Sequence, residues 1–400
     1  MFRLDTSHPD GASDWSFPPT APLLYLVSQA RPPHATALVS PSGDSVKTFA
    51  TPEEGLAFLQ SHLAGLAPPQ PGACPARWVG YLGYDLGGLF ERLPRGAMDD
   101  LDTPLFVFGF CQPTKSQPPP NPSKKARTPA DATSNFTRPA FESAVTRAID
   151  YIRSGDVFQV NLAQRLSVPL RDSPADVYSR LLANSPAWYG THLDVPSLLG
   201  SAPFSLISNS PELFLHVSPD GAVTTRPIKG TRPLLPGMYE DLLHSVKDLA
   251  ELAMIVDLLR NDLGRVCRFG SVRVAQARVI EVHPTVYHGV STIVGQLREG
   301  TTFLDLLRGV FPCGSVTGAP KIRAMEIIDE LEPHRRGAYC GAAGYLCQSG
   351  QIQFNVAIRT MTLTATHAHL PVGGGVVADS TPPAEYDETL VKAQAMLAAL

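Results

Sequence analysis

Residues 244–263, HSVKDLAELAMIVDLLRNDL, carry apolar side chains around most of a helical wheel, and a helix of that kind has to be covered on more than one side. A chain that contains it is expected to fold as stacked layers rather than as a small bundle with one wet face. Its 400 residues are enough for such layers. Residues 23–28 (LLYLVS) and 104–111 (PLFVFGFC) read as buried strands, and 78–85 (WVGYLGYD) as another whose glycines admit a close neighbour. The first third is therefore strand-rich, and some of the layers are sheets.

The sharpest break in composition falls at 112–137, QPTKSQPPPNPSKKARTPADATSNFT, where proline and lysine dominate and Phe136 is the one large apolar residue. Such a stretch reads as a solvated, partly polyproline linker or loop between a strand-rich region, 1–111, and a second region, 138–400. Beyond it, Phe141, Val145, Ala148, Ile149 and Ile152 recur at helical spacing until Gly155 supplies a stop. Residues 157–168 and 205–217 read as strands, 344–364 as a hairpin turning at Ser349-Gly350, and 384–400 as a closing helix. No internal repeat of solenoid period is visible.

Charged residues make up 18% and the net charge is −4, which gives no electrostatic footprint for nucleic acid or an anionic membrane. There is no uninterrupted apolar run of membrane-spanning length, and MFRLDTSHPDGASDW has acids and a proline where a signal peptide is apolar. The expected location is the cytoplasm. Six cysteines (Cys74, Cys111, Cys267, Cys313, Cys340, Cys347) show no C-x-x-C spacing and read as buried thiols. His367 and His369 lack the further ligands that zinc needs.

Four constellations could carry chemistry. Asp248 and Glu251 stand three apart on the first helix, and Glu385 and Glu388 repeat that spacing on the last, with Lys392 one turn on. Residues three apart share a helical face, so these are either solvated stripes or oxygen ligands for a hard cation such as Mg²⁺. The glycines of 372–376 (VGGGV) either form a tight turn or offer bare amides to an anion. Residues 314–321 (GSVTGAPK) place two hydroxyls and Pro320 before the run IRAMEIIDEL, where a helix N-terminus could receive a carboxylate. Lys229 lies in RPIKGTRP. It is either a surface charge or an amine whose pKa falls in an apolar, rigid segment.

Together and in this order, FQVNLAQR (158–165), SPELFL (210–215), RPIKGTRP (226–233), ELAMIVDLLRNDLGRV (251–266), YHGVSTIVGQL (287–297), GSVTGAPKIRAMEIIDELEP (314–333), VAIRTM (356–361) and GGGVVADS (373–380) resemble the chorismate-utilising enzymes over residues 135–400. P-I-K-G-T is similar to the large subunits that make aminodeoxychorismate, whereas those that make anthranilate typically have alanine at the position of Lys229. The resemblance implies an α/β (α+β) fold, a large layered sandwich of two mainly antiparallel sheets with flanking helices. In it the N-terminal third is a variable part of the same fold. Carried over, Glu251 and Glu388 match Mg²⁺ ligands, with Asp248 and Glu385 supporting through water. Ser315, Thr317, Arg359 and the backbone of Gly374 and Gly375 match positions that hold the carboxylates of chorismate, and Gly318 and Gln159 belong to the same pocket. His288 matches a histidine beside the ring, and Tyr339 an aromatic position that varies.

The chemistry so implied converts chorismate and ammonia to 4-amino-4-deoxychorismate, on the way to para-aminobenzoate and folate. Lys229 attacks C2, Glu212 of SPELF protonates the departing C4 hydroxyl, and ammonia enters at C4 and expels the lysine. Burial of Glu212 in its strand is expected to keep it protonated near neutral pH. Relatives that use water typically have a lysine where this chain has Gln159, which favours ammonia. LLYLVS lacks the L-L-E-S pattern of tryptophan-inhibited relatives. No segment resembles a glutamine amidotransferase, so a separate glutaminase subunit or free ammonia is expected to supply nitrogen. The alternatives are an anthranilate-forming component I and a non-catalytic, chorismate-binding regulator of a glutaminase.

Overall fold

Two antiparallel sheets lie face to face in the computed structural model, which describes residues 1–6, 15–69, 75–112 and 132–400. The first sheet runs Gly318–Ala319, Gln159–Pro169, His367–Val376, Thr360–Leu363, Phe204–Ser210, Tyr189–Val195, Phe2–Asp5, Phe17–Thr20, with Thr133–Ser134 added beside Gln159–Pro169. The second runs Ile228–Pro233, Val286–Gln296, Ala222–Arg226, Leu213–Val217, Ile352–Val356, Ala342–Cys347, Arg77–Leu82, Phe106–Cys111, Leu24–Ser28, Thr36–Val39, Ser45–Phe49, and Arg273–Val282 pairs with Val286–Gln296. Residues 1–111 contribute strands to both sheets.

Burial alternates as this layering requires. Phe2, Leu4, Phe17 and Leu193 of the first sheet meet Val27, Val79, Tyr81 and Tyr345 of the second in a core between the sheets. Trp15 fills part of that core and donates its indole N–H to the Gly190 carbonyl at 2.8 Å, which satisfies its one polar atom. The outer face of the second sheet is covered by helices that include Pro52–Ala64, Val246–Gly264 and Phe303–Val310; that of the first is covered by Arg138–Arg153, Pro174–Asn184, Lys321–Leu331 and Pro382–Leu397. Together the layers give the α+β sandwich expected from the sequence.

Several local expectations change. Residues 244–263 are not one helix but the end of Met238–His244 and most of Val246–Gly264, separated at Ser245, whose hydroxyl caps the second helix by accepting from the Asp248 amide. Nor is that helix covered all round: Leu252, Ile255, Leu259 and Leu263 face the core, while Val246 is 79% exposed. Residues 205–217 form two strands in different sheets, because the chain crosses between the layers at Pro211 and Glu212. The three glycines lie inside the strand His367–Val376, paired with Leu162 and its neighbours, rather than in a turn. Only Ala342–Cys347 and Ile352–Val356 form the expected hairpin; Thr360–Leu363 belongs to the other sheet. The strand expected at 78–85 is Arg77–Leu82, followed by the 3-10 turn Tyr84–Leu89.

Of the expected linker, 113–131 lies outside the described residues. Residues 132–137 are part of the fold, since Thr133 and Ser134 pair with Ser167 and Leu166 and Thr137 caps the helix Arg138–Arg153. Cys111, Cys267, Cys313, Cys340 and Cys347 are buried free thiols, and Cys74 is outside the described residues. Among the described residues, no helix is long and apolar enough to cross a membrane.

Candidate active site

Glu212 sits where the chain passes from one sheet to the other, and this crossover removes its carboxyl from water: the residue is 4% exposed. Burial pushes the acid up to about 7, against the opposing pull of the Ser315 hydroxyl, the Lys229 charge and the Ile228 amide. The Ser315 hydroxyl donates to Oε1 at 2.6 Å. A carboxyl so placed is half protonated near neutrality, which suits a proton donor.

Lys229 lies on Ile228–Pro233, an edge strand of the second sheet, and Gly230 beside it has φ +82°. A β-carbon at Gly230 would press on Leu242 and stand 3.0 Å from Cγ of Asp248, so only glycine lets this strand approach the Val246–Gly264 helix. The approach brings Lys229 Nζ to 2.9 Å from Glu251 Oε1. This differs from the apolar surroundings expected for the lysine, because a carboxylate faces it. The next cation along the strand, Arg232, reaches Asp248 Oδ2 at 2.9 Å and also bonds Asp241.

Glu251, Glu385 and Glu388 come together over the glycine strand. A β-carbon at Gly374 would lie 3.1 Å from Glu385 Oε2 and 3.3 Å from Glu388 Oε1, and one at Gly375 would lie 3.2 Å from Glu251 Oε1. Glycine there leaves bare backbone facing three carboxylates from two helices. The Glu385 carboxyl is raised by burial and by Glu388, and accepts from the Ser380 hydroxyl at 2.6 Å. Burial also works to raise Glu388, but Lys392, Lys247 and Lys229 hold it below the usual range. Lys392 Nζ lies 2.7 Å from Glu388 Oε1 and donates to the Gly373 carbonyl at 2.8 Å.

The donor set is all oxygen, as Mg²⁺ requires, and the glycine cradle leaves room beside it, so these residues fit such an ion. As they stand, no three His, Cys, Asp or Glu side chains among the described residues converge tightly enough to hold a metal. Asp248 is turned toward Arg232.

The remaining candidates surround these two centres unevenly. Gln159 is fully buried beside Gly375, and neither its Nε2 nor its Oε1 has a partner; a buried amide with both ends unmet is costly unless a ligand meets it. His288 is 2% exposed, its Nδ1 is 2.9 Å from the Thr231 hydroxyl, and its Nε2 is unmet. Burial, with Arg359 and His283 nearby, holds its pKa well below the ordinary value, so the ring is neutral. Arg359 takes φ +49° and has no acidic partner among the described residues, and burial lowers its pKa. Thr317 is turned inward to the carbonyls of Cys313 and Gly314, and Gly318 pairs with Val160. Tyr339 is buried 5.8 Å from the Arg336 guanidinium.

Lys392, named in the sequence at i+4 from Glu388, a spacing that favours an ion pair, is joined in the site by two groups that sequence reasoning did not single out. Arg232 stands in the same short motif as Lys229. Arg336 has a local signal in its i+4 spacing from Glu332, with which it forms a bidentate buried pair, but none for its donation to the carbonyls of Val316 and Asn161, which ties the 314–318 loop to the strand that carries Gln159.

Comparison with known proteins agrees with this geometry. Residues 28–398 match the chorismate binding enzyme family. Anthranilate synthase component 1 of Thermus thermophilus is 42% identical over 361 residues, covering 80% of this chain and 77% of that protein. Aminodeoxychorismate synthase component 1 of Escherichia coli is 38% identical over 388 residues, covering 88% and 84%. The crystal structure of anthranilate synthase component I from Streptococcus pneumoniae superimposes with a TM-score of 0.81 at 29% identity, over 99% of this chain and 92% of that one. With the match running through both sheets and both carboxylate helices, the chain belongs to the chorismate-binding enzymes.

Proposed function

We propose that this protein is the large subunit of an aminodeoxychorismate synthase, taking ammonia from a glutaminase partner or from solution. The observation that carries this reading is Lys229, held beside Glu251 and within electrostatic reach of Glu212. Lys229, once its ammonium has given a proton to solvent, attacks C2 of chorismate through the neutral amine while Glu212 gives its proton to the leaving C4 hydroxyl, which departs as water. Ammonia then adds at C4 and the C2–nitrogen bond to Lys229 breaks, so the lysine returns to its starting state. Arg359 and the buried amide of Gln159 bind and orient the substrate's anionic and polar groups, and neutral His288 borders the ring. Glu251 and Glu388, supported by Asp248 and Glu385, would hold Mg²⁺, which when bound supplies Lewis-acid polarisation of the substrate.

A second reading, anthranilate formation, is favoured by the 42% identity to the Thermus protein. It would place nitrogen at C2 and leave Lys229 without a covalent role. Incubating the protein with chorismate, Mg²⁺ and ammonium, with and without a separate aminodeoxychorismate lyase, distinguishes the two. Para-aminobenzoate that forms only with the lyase supports the proposal; anthranilate fluorescence without it supports the second reading. Neither product would point to a chorismate-binding regulator.

A further inference from the structure

Three of the four carboxylates assigned to the metal already hold a cation of the chain. Lys229 pairs with Glu251, Arg232 with Asp248 and Lys392 with Glu388, while Glu385 is held by a hydroxyl. A divalent ion that draws in Glu251 and Glu388 therefore has to exchange with ammonium groups first.

The two lysine pairs differ in kind. Lys392–Glu388 joins residues four apart on one helix, with side chains 43% and 51% exposed, and such pairs are readily exchanged. Lys229–Glu251 joins a strand to a helix, with side chains 12% and 16% exposed. Its exchange changes the site more, because the group set free is the one that reacts.

We infer that Lys229 is the internal counter-ion of the metal site, so that Lys229 and the divalent cation compete for Glu251 and metal binding is what releases Nζ toward the substrate. This rests on the metal assignment in the proposed function. In the metal-free protein the amine is engaged with Glu251 and turned from chorismate; with the ion bound, the carboxylate is taken and the amine is free. A pair formed about nine-tenths of the time lowers the apparent affinity of a competing ligand about tenfold. Removing the lysine removes that competition.

The test is calorimetric titration of Mg²⁺, without chorismate, into the wild-type full-length protein, Lys229→Met and Lys247→Met. Lys247 is a useful control, since its charge acts on Glu385 and Glu388 without pairing to Glu251. The expected result is a Kd about tenfold or more tighter in Lys229→Met, with less than about threefold change in Lys247→Met. Equal tightening in both variants reduces the effect to general charge and overturns the inference, as does an unchanged or weaker Kd in Lys229→Met. If the methionine variant does not fold, Lys229→Gln carries the same expectation. Absence of Mg²⁺ binding in every protein overturns the metal assignment and this inference with it. Tightened binding with para-aminobenzoate formation retained in the lyase-coupled assay overturns only the nucleophile role. Unchanged binding with product lost overturns only the competition.

Discussion

The Ser315 hydroxyl donates a 2.6 Å hydrogen bond to Glu212, 103 residues away in sequence. The bond spans two segments far apart in the chain, the crossover at Pro211 and Glu212 and the 314–318 loop. It leaves Ser315 committed to the acid, and it helps explain why Glu212 is held near 7 rather than driven higher by its burial.

This acid gives a pH prediction with a definite sign. Its folded pKa, about 7, lies above the ordinary 4.5, so the folded state keeps a proton that the unfolded state gives up. The contribution is fully present below pH 4.5 and is lost as pH rises through 7, on the order of 3 kcal/mol. Glu212→Gln should therefore flatten this part of the pH dependence of stability and be more stable than wild type at pH 8. Turnover of chorismate by the wild type should fall above about pH 7. Thermal melts from pH 4 to 9 check the first point, and a variant with the wild-type slope would show that Glu212 is not the group concerned.

Gly375→Ala tests the cradle. The added methyl would overlap the Gln159 amide and stand 3.2 Å from Glu251 Oε1. The Gln159 end can shift, so the fold should persist with a cost within about 1–2 kcal/mol. Chorismate affinity and Mg²⁺ affinity should both fall about tenfold or more, since about 1.4 kcal/mol separates each decade. Unaltered KM for chorismate would mean that the substrate does not lie over this strand.

Much of the architecture was legible because its signals are local. The helix Arg138–Arg153, the hairpin through Gly350 and the carboxylate pairs Asp248/Glu251 and Glu385/Glu388 could be read from spacing and turn residues. The fold class came instead from the order of motifs, since periodicity cannot say which strands share a sheet. The failures have a common cause. Residues 205–217 look like one strand because the side chains on both sides of Pro211 are buried alike, yet they face different layers. The break at Ser245 is hidden because serine caps the helix that follows it while apolar residues continue on both sides. Ion partners such as Lys229 with Glu251 and Lys321 with Asp262 depend on tertiary placement, and only i+4 pairs such as Glu332 with Arg336 announce themselves in sequence.

The acidic pairs predict opposite stability effects. Carboxylate repulsion alone would make Glu251→Ala neutral or stabilising in metal-free protein. The Lys229 partner reverses that expectation, because its ammonium loses its carboxylate in a mostly buried place. Glu251→Ala should cost about 1–2 kcal/mol, less than a fully buried pair because both side chains keep some contact with water. Glu385→Gln should instead be neutral or stabilising, since burial and Glu388 disfavour its charge and an amide oxygen still accepts from Ser380. Chemical denaturation in chelator measures both, and a stabilised Glu251→Ala would contradict the pairing.

The last prediction concerns the support beneath the 314–318 loop. Lys321 begins the helix that follows that loop, and its Nζ donates to Asp262 Oδ2 at 2.6 Å and to the Val310 carbonyl at 3.0 Å. One ammonium thus joins the start of Lys321–Leu331, the end of Val246–Gly264 and the end of Phe303–Val310. The Asp262 side chain is 6% exposed and that of Lys321 14%, so removing one partner leaves a buried charge uncompensated. Asp262→Asn and Lys321→Met should each cost about 3–5 kcal/mol. The double variant should cost well under the sum, because the second substitution removes the charge that the first left unpaired. Urea denaturation measures the cycle, with an unchanged slope showing that the unfolded state is not the cause. Because Lys321 sets where the helix begins, and Ser315 lies in the loop before it, the single variants should also shift the upper limb of the pH profile set by Glu212. Strict additivity with an unmoved pH profile would mean that the pair holds neither the helices nor the loop.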